Sequence, residues 1–453
     1  MPKQAKFAFV ACVVCLFSSL PCFAVEPHAA NKEAVMADTT AAINATETQQ
    51  YSTISSSQSS TALTIEDAIQ RMLAENHKLK AQQHAVQATD LEGQQFSVRP
   101  NPELAIEVEE FGGSGDYSGS DSLQATLSLS QTLELGGKRA RRQQLAEQQR
   151  RVAEQQLVVT RSNLISETTA RFVAVLVANK QLHLAQNQLD QAATVLSIVN
   201  EGVAAGNKAP IEALRFKSLA TQAQIRYQTA LTTSENSRLV LASSWNGTAS
   251  DFGEVGGNLR VLPKLPLWDE IEQQLERSPL LTLRQQQHQL AQAEVALQKA
   301  NRVNNITVEM GLKNDRSTND TALLAGLSMP LALFDRNKSG VAAASRRASQ
   351  AEAQGHAVRQ QQRQQVLTTY RSATLVRQEI EALTSDLIPA AQTVFEAISY
   401  GYTQGKFGVI EVLDAQGRLF DSEDRYIAAL IRYHQQFSEL TRLLGNKFTE
   451  DKG

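Results

Sequence analysis

Leu63-Thr64-Ile65-Glu66-Asp67-Ala68 opens a helical pattern, and about 200 residues later Leu265-Pro266-Leu267-Trp268-Asp269-Glu270 opens another. Two further pairs recur at nearly the same offset. Gln131-Thr132-Leu133-Glu134-Leu135-Gly136-Gly137-Lys138-Arg139 pairs with Met329-Pro330-Leu331-Ala332-Leu333-Phe334-Asp335-Arg336-Asn337, and Gly206 to Leu214 pairs with Gly405 to Leu413. A chain that repeats its start, middle and reversal points in the same order is a tandem duplication, so whatever one half folds into, the other must fold into as well. The expected division is a segment 1–24, a polar tail 25–62, a first repeat 63–264, a second repeat 265–446 and a short tail 447–453. Each repeat reads as a helix, two strands, a long helix, a tight tip and another long helix. In the first repeat the opening helix is expected to run from Thr64 as N-cap to about Gln95, and in the second to about Asn301.

The strands follow from period two. Leu104, Ile106 and Val108 alternate with Glu103, Glu107 and Glu109; Leu123, Ala125, Leu127 and Leu129 alternate with Gln124, Thr126, Ser128 and Ser130. The second repeat supplies Ile306, Val308, Met310 and Leu312, then Leu323, Ala325, Leu327, Met329 and Leu331. Runs of about ten residues suit tilted membrane strands, although a half-buried sheet of a soluble sandwich alternates in the same way. What weighs against the sandwich is helix length. Lys138 to about Glu201 contains no proline and carries Val175, Leu182, Leu189 and Leu196 at heptad spacing; at about 1.5 Å per residue it spans roughly 90 Å. Ser339 to about Tyr400 repeats that length, broken only by Pro389, and the last helix carries Leu419, Tyr426, Leu430, Tyr433, Phe437, Leu440 and Leu444. Coiled-coil hairpins of this length span distance rather than enclose a pocket.

Lys3 and Lys6, an apolar run from Phe7 to Leu20, and Pro21-Cys22-Phe23-Ala24 have the layout of a cleaved secretory signal. Its apolar run, about 14 residues, is short for a membrane helix of roughly 20. Cys12, Cys15 and Cys22 all fall within it, so the mature chain would hold no disulfide and no thiolate metal site. Cys22 is the one alternative lipidation point, but Ser19-Leu20-Pro21 lacks the leucine expected three residues before such a cysteine. Beyond this run no apolar stretch is long enough to cross a bilayer as a helix, so any crossing would use strands. The net charge of −3 gives no sign of a nucleic-acid partner. The histidines, among them His77 and His84, form no ligand spacing, Gly136-Gly137-Lys138 lacks the first glycine of a phosphate loop, and no nucleophile motif occurs. The chain therefore reads as a non-enzymatic protein without a cofactor.

The Leu133 to Arg139 turn, the Pro330 to Arg336 turn and the Gly405 to Ala415 tip, ending Ile410-Glu411-Val412-Leu413-Asp414-Ala415, resemble those of TolC-like outer-membrane efflux factors. Both turns look most like the heavy-metal branch, which serves resistance-nodulation-division pumps of the cobalt-zinc-cadmium type. The likeness covers about residues 63 to 446. It implies a mainly α fold with a small β part: helical hairpins forming a periplasmic tunnel, and four strands per chain contributing to a twelve-stranded barrel shared by a homotrimer in the outer membrane. It implies a passive conduit, supplied by an inner-membrane transporter and docked at its tips by a periplasmic adaptor. Export of drugs or other organic compounds, or a coiled-coil envelope protein without a pore, are the alternatives.

On this reading Glu103, Glu107 and Glu109 face the barrel lumen, where acids favour cations. Gly206 and Gly405, within the tips Gly202 to Pro210 and Gly401 to Val409, mark the adaptor-docking ends, the alternative being that these glycines serve only the reversal of the coiled coil. Glu411 and Asp414 share one helical face and match acidic positions that line the tunnel's narrowest point in the family, with Glu212 flanking them from the other hairpin. Acids near a helix start also serve the macrodipole alone, at about 0.3 to 1 kcal/mol each.

Overall fold

The structure is a computed structural model, and it describes residues 62–445. The expected signal segment, the tail up to residue 61 and residues 446–453 lie outside the described residues. Thr64 caps the first helix as expected: its Oγ1 accepts from the Asp67 amide at 3.1 Å while Asp67 accepts from the Thr64 amide at 3.2 Å. The helix does not run on to Gln95, however. It ends as α1 (Ile65–Glu75), and α2 (His77–Phe96) starts afresh at Asn76, whose Oδ1 accepts from the amides of Lys78 and Leu79. The Asn76 side chain is buried and its Nδ2 donates to the Ser244 carbonyl at 2.8 Å, which fixes the break against the end of the repeat. The second repeat breaks in the same place. There α5 (Trp268–Glu276) and α6 (Pro279–Ala300) are separated by Arg277-Ser278, with buried Ser278 as N-cap and Pro279 at the first helical position, where its missing N–H costs nothing.

Between these helix pairs and the long hairpins lie β1 (Glu103–Glu109) and β2 (Gln124–Leu133), then β3 (Ile306–Asp315) and β4 (Asp320–Ser328). They form one antiparallel sheet in the order β1-β2-β3-β4, so the two halves of the duplication meet at the β2–β3 ladder, Gln124↔Asp315 through Leu133↔Ile306. β1 is shorter than expected, and Met329 and Leu331 fall beyond the ladder of β4.

Chain leaving β2 turns through Gly136 and Gly137, both at positive φ, into α3 (Lys138–Ala204), 67 residues or about 100 Å. The matching left-handed residue in the second repeat is Asn337, just before α7 (Lys338–Ala382). The structure thus aligns Gly137 with Asn337, whereas the sequence pairing sets Gly137 against Asp335. The second turn takes two extra residues to reach its helix.

Along α3 the heptad reading takes Val175, Leu182, Leu189 and Leu196, of which only Val175 is fully buried. The deeper seam is Ala178, Ala185, Ala192 and Val199, three residues on from each. Together they alternate steps of three and four, the a/d pattern of a coiled coil, with alanine at d so that partners approach closely. After a reversal, α4 (Pro210–Ala242) packs back along α3. In the second repeat the long helix is interrupted by a π turn, Leu383–Leu387, before α8 (Ile388–Thr403). Pro389 cannot donate to a carbonyl four residues back, and Thr384 and Ser385 hydroxyls occupy the Ile380 and Glu381 carbonyls at 2.8 Å each. α9 (Val409–Leu444) completes the second hairpin, with Leu419, Leu430, Tyr433, Leu440 and Leu444 buried.

The connector between repeats crosses α9 as a strap. Leu259, Leu262 and Leu265 pack on Val376, Ile380, Leu430 and Tyr433; the Tyr433 hydroxyl donates to the Pro263 carbonyl, and His434 Nε2 lies 3.1 Å from the Leu259 carbonyl. Burial pushes the His434 imidazole below the ordinary histidine range, partly opposed by that hydrogen bond. Such a group binds fewer protons folded than unfolded, so its stabilising effect is complete above about pH 6.5 and is lost as pH falls through that value toward the folded pKa. Glu423, half-buried on the same helix and shifted upward by burial and then by Asp424, acts in the opposite sense. The histidine is therefore isolated by difference. Acidification from pH 7.5 to 5.5 should lower the thermal midpoint more in the natural chain than in His434→Gln, by roughly 1–2 °C. Equal losses would exclude His434 as the origin.

Candidate functional site

Two places gather the residues that the sequence singles out: the sheet and the hairpin tips. Paired residues of an antiparallel ladder point the same way, so the register sorts the sheet into two faces. One carries Leu104, Leu129, Met310 and Ala325 across one row and Ile106, Leu127, Leu312 and Leu323 across the next. Every one of these is exposed, Leu323 to 85%. An apolar surface of this kind, continuous over four strands, marks an interface. The opposite face carries Glu103, Glu107 and Glu109, joined across the ladder by Glu309, Asp315 and Asp320. This face is not purely acidic. Lys313 sits beside Thr126 in the Glu107 row and comes within 4.0 Å of Glu109. β1 and β4 are the two edges, and no further strand among the described residues pairs with either.

The tips are built twice on one plan. Gly206 and Gly405 adopt positive φ, +75° and +71°, as the chain reverses, and a Cβ at either would meet no atom within 4 Å. Four residues before each lies a helical glycine covered by the side chain six residues on. A Cβ on Gly202 would meet the flexible Lys208 side chain and one on Gly401 the Phe407 ring, so the close approach demands glycine more strictly at Gly401. Val199, Phe216 and Val409 form the apolar plug that joins the two hairpins, with Tyr402 and Leu413 against it.

The expected acids lie on α4 and α9, the helices that leave the two tips. Asp414 Oδ2 accepts from Arg418 Nε at 2.9 Å on the exposed side of α9. Glu411 lies in the first turn of α9, its carboxylate folded back toward Gly408, a position that also serves the helix start. Glu212 lies in the first turn of α4, on the other hairpin. Its carboxylate lies 3.5 Å from the Tyr402 hydroxyl, which Lys208 Nζ also reaches while lying 3.9 Å from the ring centroid. Lys208 and Tyr402, which the sequence reading passes over, therefore tie one hairpin to the other. They are 194 residues apart, and no local pattern announces such a pair.

Among the described residues no group of three or more His, Cys, Asp or Glu could hold a metal ion, and no helix is long and apolar enough to cross a membrane. The family profile described as "Outer membrane efflux protein" matches residues 68–247 and 271–446, one stretch per repeat. The cobalt-zinc-cadmium resistance protein CzcC of Cupriavidus metallidurans is 29% identical over 383 residues, covering 84% of this chain and 90% of that protein. The nickel-cobalt-cadmium resistance protein NccC of Alcaligenes xylosoxydans xylosoxydans is 23% identical, covering 64% of this chain and 66% of its own length. In three dimensions the outer-membrane channel OprN superposes with a TM-score of 0.73 at 16% identity, covering 85% of this chain and 90% of OprN.

Proposed function

Because this chain belongs to the outer membrane efflux protein family, we propose that three copies form an outer-membrane channel that passively conducts heavy-metal cations out of the cell. The observation that carries the barrel is the sheet: an exposed apolar face, an acidic opposite face and two free edges. Free edges in a bilayer would leave backbone groups unsatisfied at several kcal/mol each, so the sheet must close. β1 and β4 run in opposite directions, so β4 of one copy and β1 of the next extend the antiparallel order. Two copies would make a barrel filled by its own side chains; three copies of four strands make twelve and leave a passage. The apolar face then meets lipid and Glu103, Glu107 and Glu109 face the lumen, where acids outnumber Lys313 and favour cations.

The substrate class rests on the relatives named for cobalt, zinc, cadmium and nickel resistance. An inner-membrane resistance-nodulation-division transporter would select the ion and supply the energy, with a periplasmic adaptor joining it to the Gly206 and Gly405 tips. A deletion strain should lose tolerance to one or more of these divalent ions and keep its tolerance to organic drugs. Loss of drug tolerance alone would replace the metal reading by organic-compound export.

At the tip end, Glu411 and Asp414 would form stacked acidic rings closing the tunnel, with the Lys208–Tyr402–Glu212 link holding the hairpins together. Changing Glu411→Gln with Asp414→Asn keeps shape and removes charge. In planar-bilayer recordings the double variant should lose its block by multivalent cations. Unchanged block, with a small loss of stability, would leave both residues only their helix-start role.

A further inference from the structure

The strand-to-helix turns carry a charge pattern that conduction does not require. Residues 97–102, 134–142, 299–305 and 329–338 all lie at the sheet end where the helices begin, and hold nine basic residues against two acids. The opposite end, 109–123 and 313–321, holds six acids against two bases. The basic end is one connected structure. Arg139 Nε donates to the Ser97 carbonyl at 2.7 Å, Lys138 Nζ to Asn305 at 2.6 Å, and Gly136 packs under Val303. Of its two acids, Glu134 is already paired with Arg142. Arg99, Arg139, Arg141, Arg302, Arg336 and Lys338 are exposed and ion-pair with no acid among the described residues.

The same end extends the apolar face beyond the ladder. Leu331 and Leu333 continue the alternation of Leu323 and Leu327 past Ser328, Leu135 does so past Leu133 at the end of β2, and Phe334 is 99% exposed. A belt of apolar side chains bordered by unpaired cations matches the level where acyl chains give way to phosphate. The amino ends of α3 and α7 open at the same level and add to the positive field.

Resting on the barrel reading above, we propose that this rim is a binding collar for anionic glycerophospholipids of the leaflet facing the helices. Charge complementarity favours that occupant over a zwitterionic lipid, and continuity with the apolar face favours a lipid over a soluble anion.

The test uses the assembled full chain in detergent, freed of lipid and offered equal amounts of phosphatidylglycerol and phosphatidylcholine, with bound lipid counted by native mass spectrometry. The collar predicts about tenfold preferential retention of phosphatidylglycerol. That preference should weaken between ~0.05 M and ~0.5 M salt and vanish when Arg139, Arg302, Arg336 and Lys338 are all changed to Gln. Equal retention of both lipids, or a salt-insensitive preference, overturns the proposal, and the salt series needs no variant to fold. A variant that keeps the preference but no longer captures the periplasmic adaptor also overturns it, the cations then serving a protein. Flotation with vesicles separates the barrel from the collar: association with neither lipid sinks the barrel, whereas equal association with both sinks the collar alone.

Discussion

Gly136→Ala is expected to destabilise the folded chain by about 2–5 kcal/mol, and Gly137→Ala by only about 1–2 kcal/mol. Both residues are left-handed, at φ +73° and +69°, so both substitutions incur the backbone penalty of a β-carbon in that region. What separates them is space. A Cβ on Gly136 would lie 2.7 Å from Val303 Cβ and 3.0 Å from the Ala300 carbonyl oxygen, the latter a backbone atom at the end of α6 that cannot swing aside; one on Gly137 would meet nothing within 4 Å. The clash adds an overpacking cost of about 1–3 kcal/mol where strand β2 turns beneath α6. Equilibrium unfolding in detergent measures both. The second repeat supplies a natural control, since Asn337 holds the left-handed position there and Asn tolerates it, so Gly137→Asn should cost less than Gly137→Ala. Equal losses for Gly136→Ala and Gly137→Ala would mean that the turn relaxes away from Val303.

The second large effect is on function. Gly206→Trp and Gly405→Trp should reduce metal resistance to that of a deletion strain while leaving assembled protein in the membrane. Gly206→Asn and Gly405→Asn should keep most of it. Asn preserves the left-handed reversal with a small side chain, and the open space around both positions means that a large side chain harms an incoming partner rather than the chain itself. If the Trp variants keep resistance, the tips are turns and nothing more. If the Asn variants fail as badly as the Trp variants, the loss comes from the turn and not from docking.

Much of this architecture is legible in the sequence because its elements are long and its period is strong. Sixty-seven residues without proline can be read as one helix, and four alternating runs as four strands, wherever their exact ends fall. The breaks are harder. Asn76 and Ser278-Pro279 carry ordinary cap chemistry, but each sits inside an apolar period that continues across it, and only burial against the far end of the repeat makes the break necessary. The d positions of α3 escape a search for large apolar residues because three of the four are alanine. At the tips, sequence spacing sets Glu411 and Asp414 on one face, yet it says nothing of Arg418 claiming Asp414 or of Lys208 reaching Tyr402. Repeat position sets Glu212 opposite Glu411, but only the folded chain brings the Tyr402 hydroxyl, which Lys208 also reaches, to within 3.5 Å of its carboxylate.

The lumen, the gate and the collar all need several copies to complete what one chain leaves open. Native mass spectrometry of the full chain, extracted from membranes in mild detergent, addresses that directly. The free edges of β1 and β4 and the exposed apolar face predict a single dominant species of three chains that survives removal of bound lipid. A stable monomer or dimer as the dominant species would contradict the shared barrel and the lumen, gate and collar built upon it.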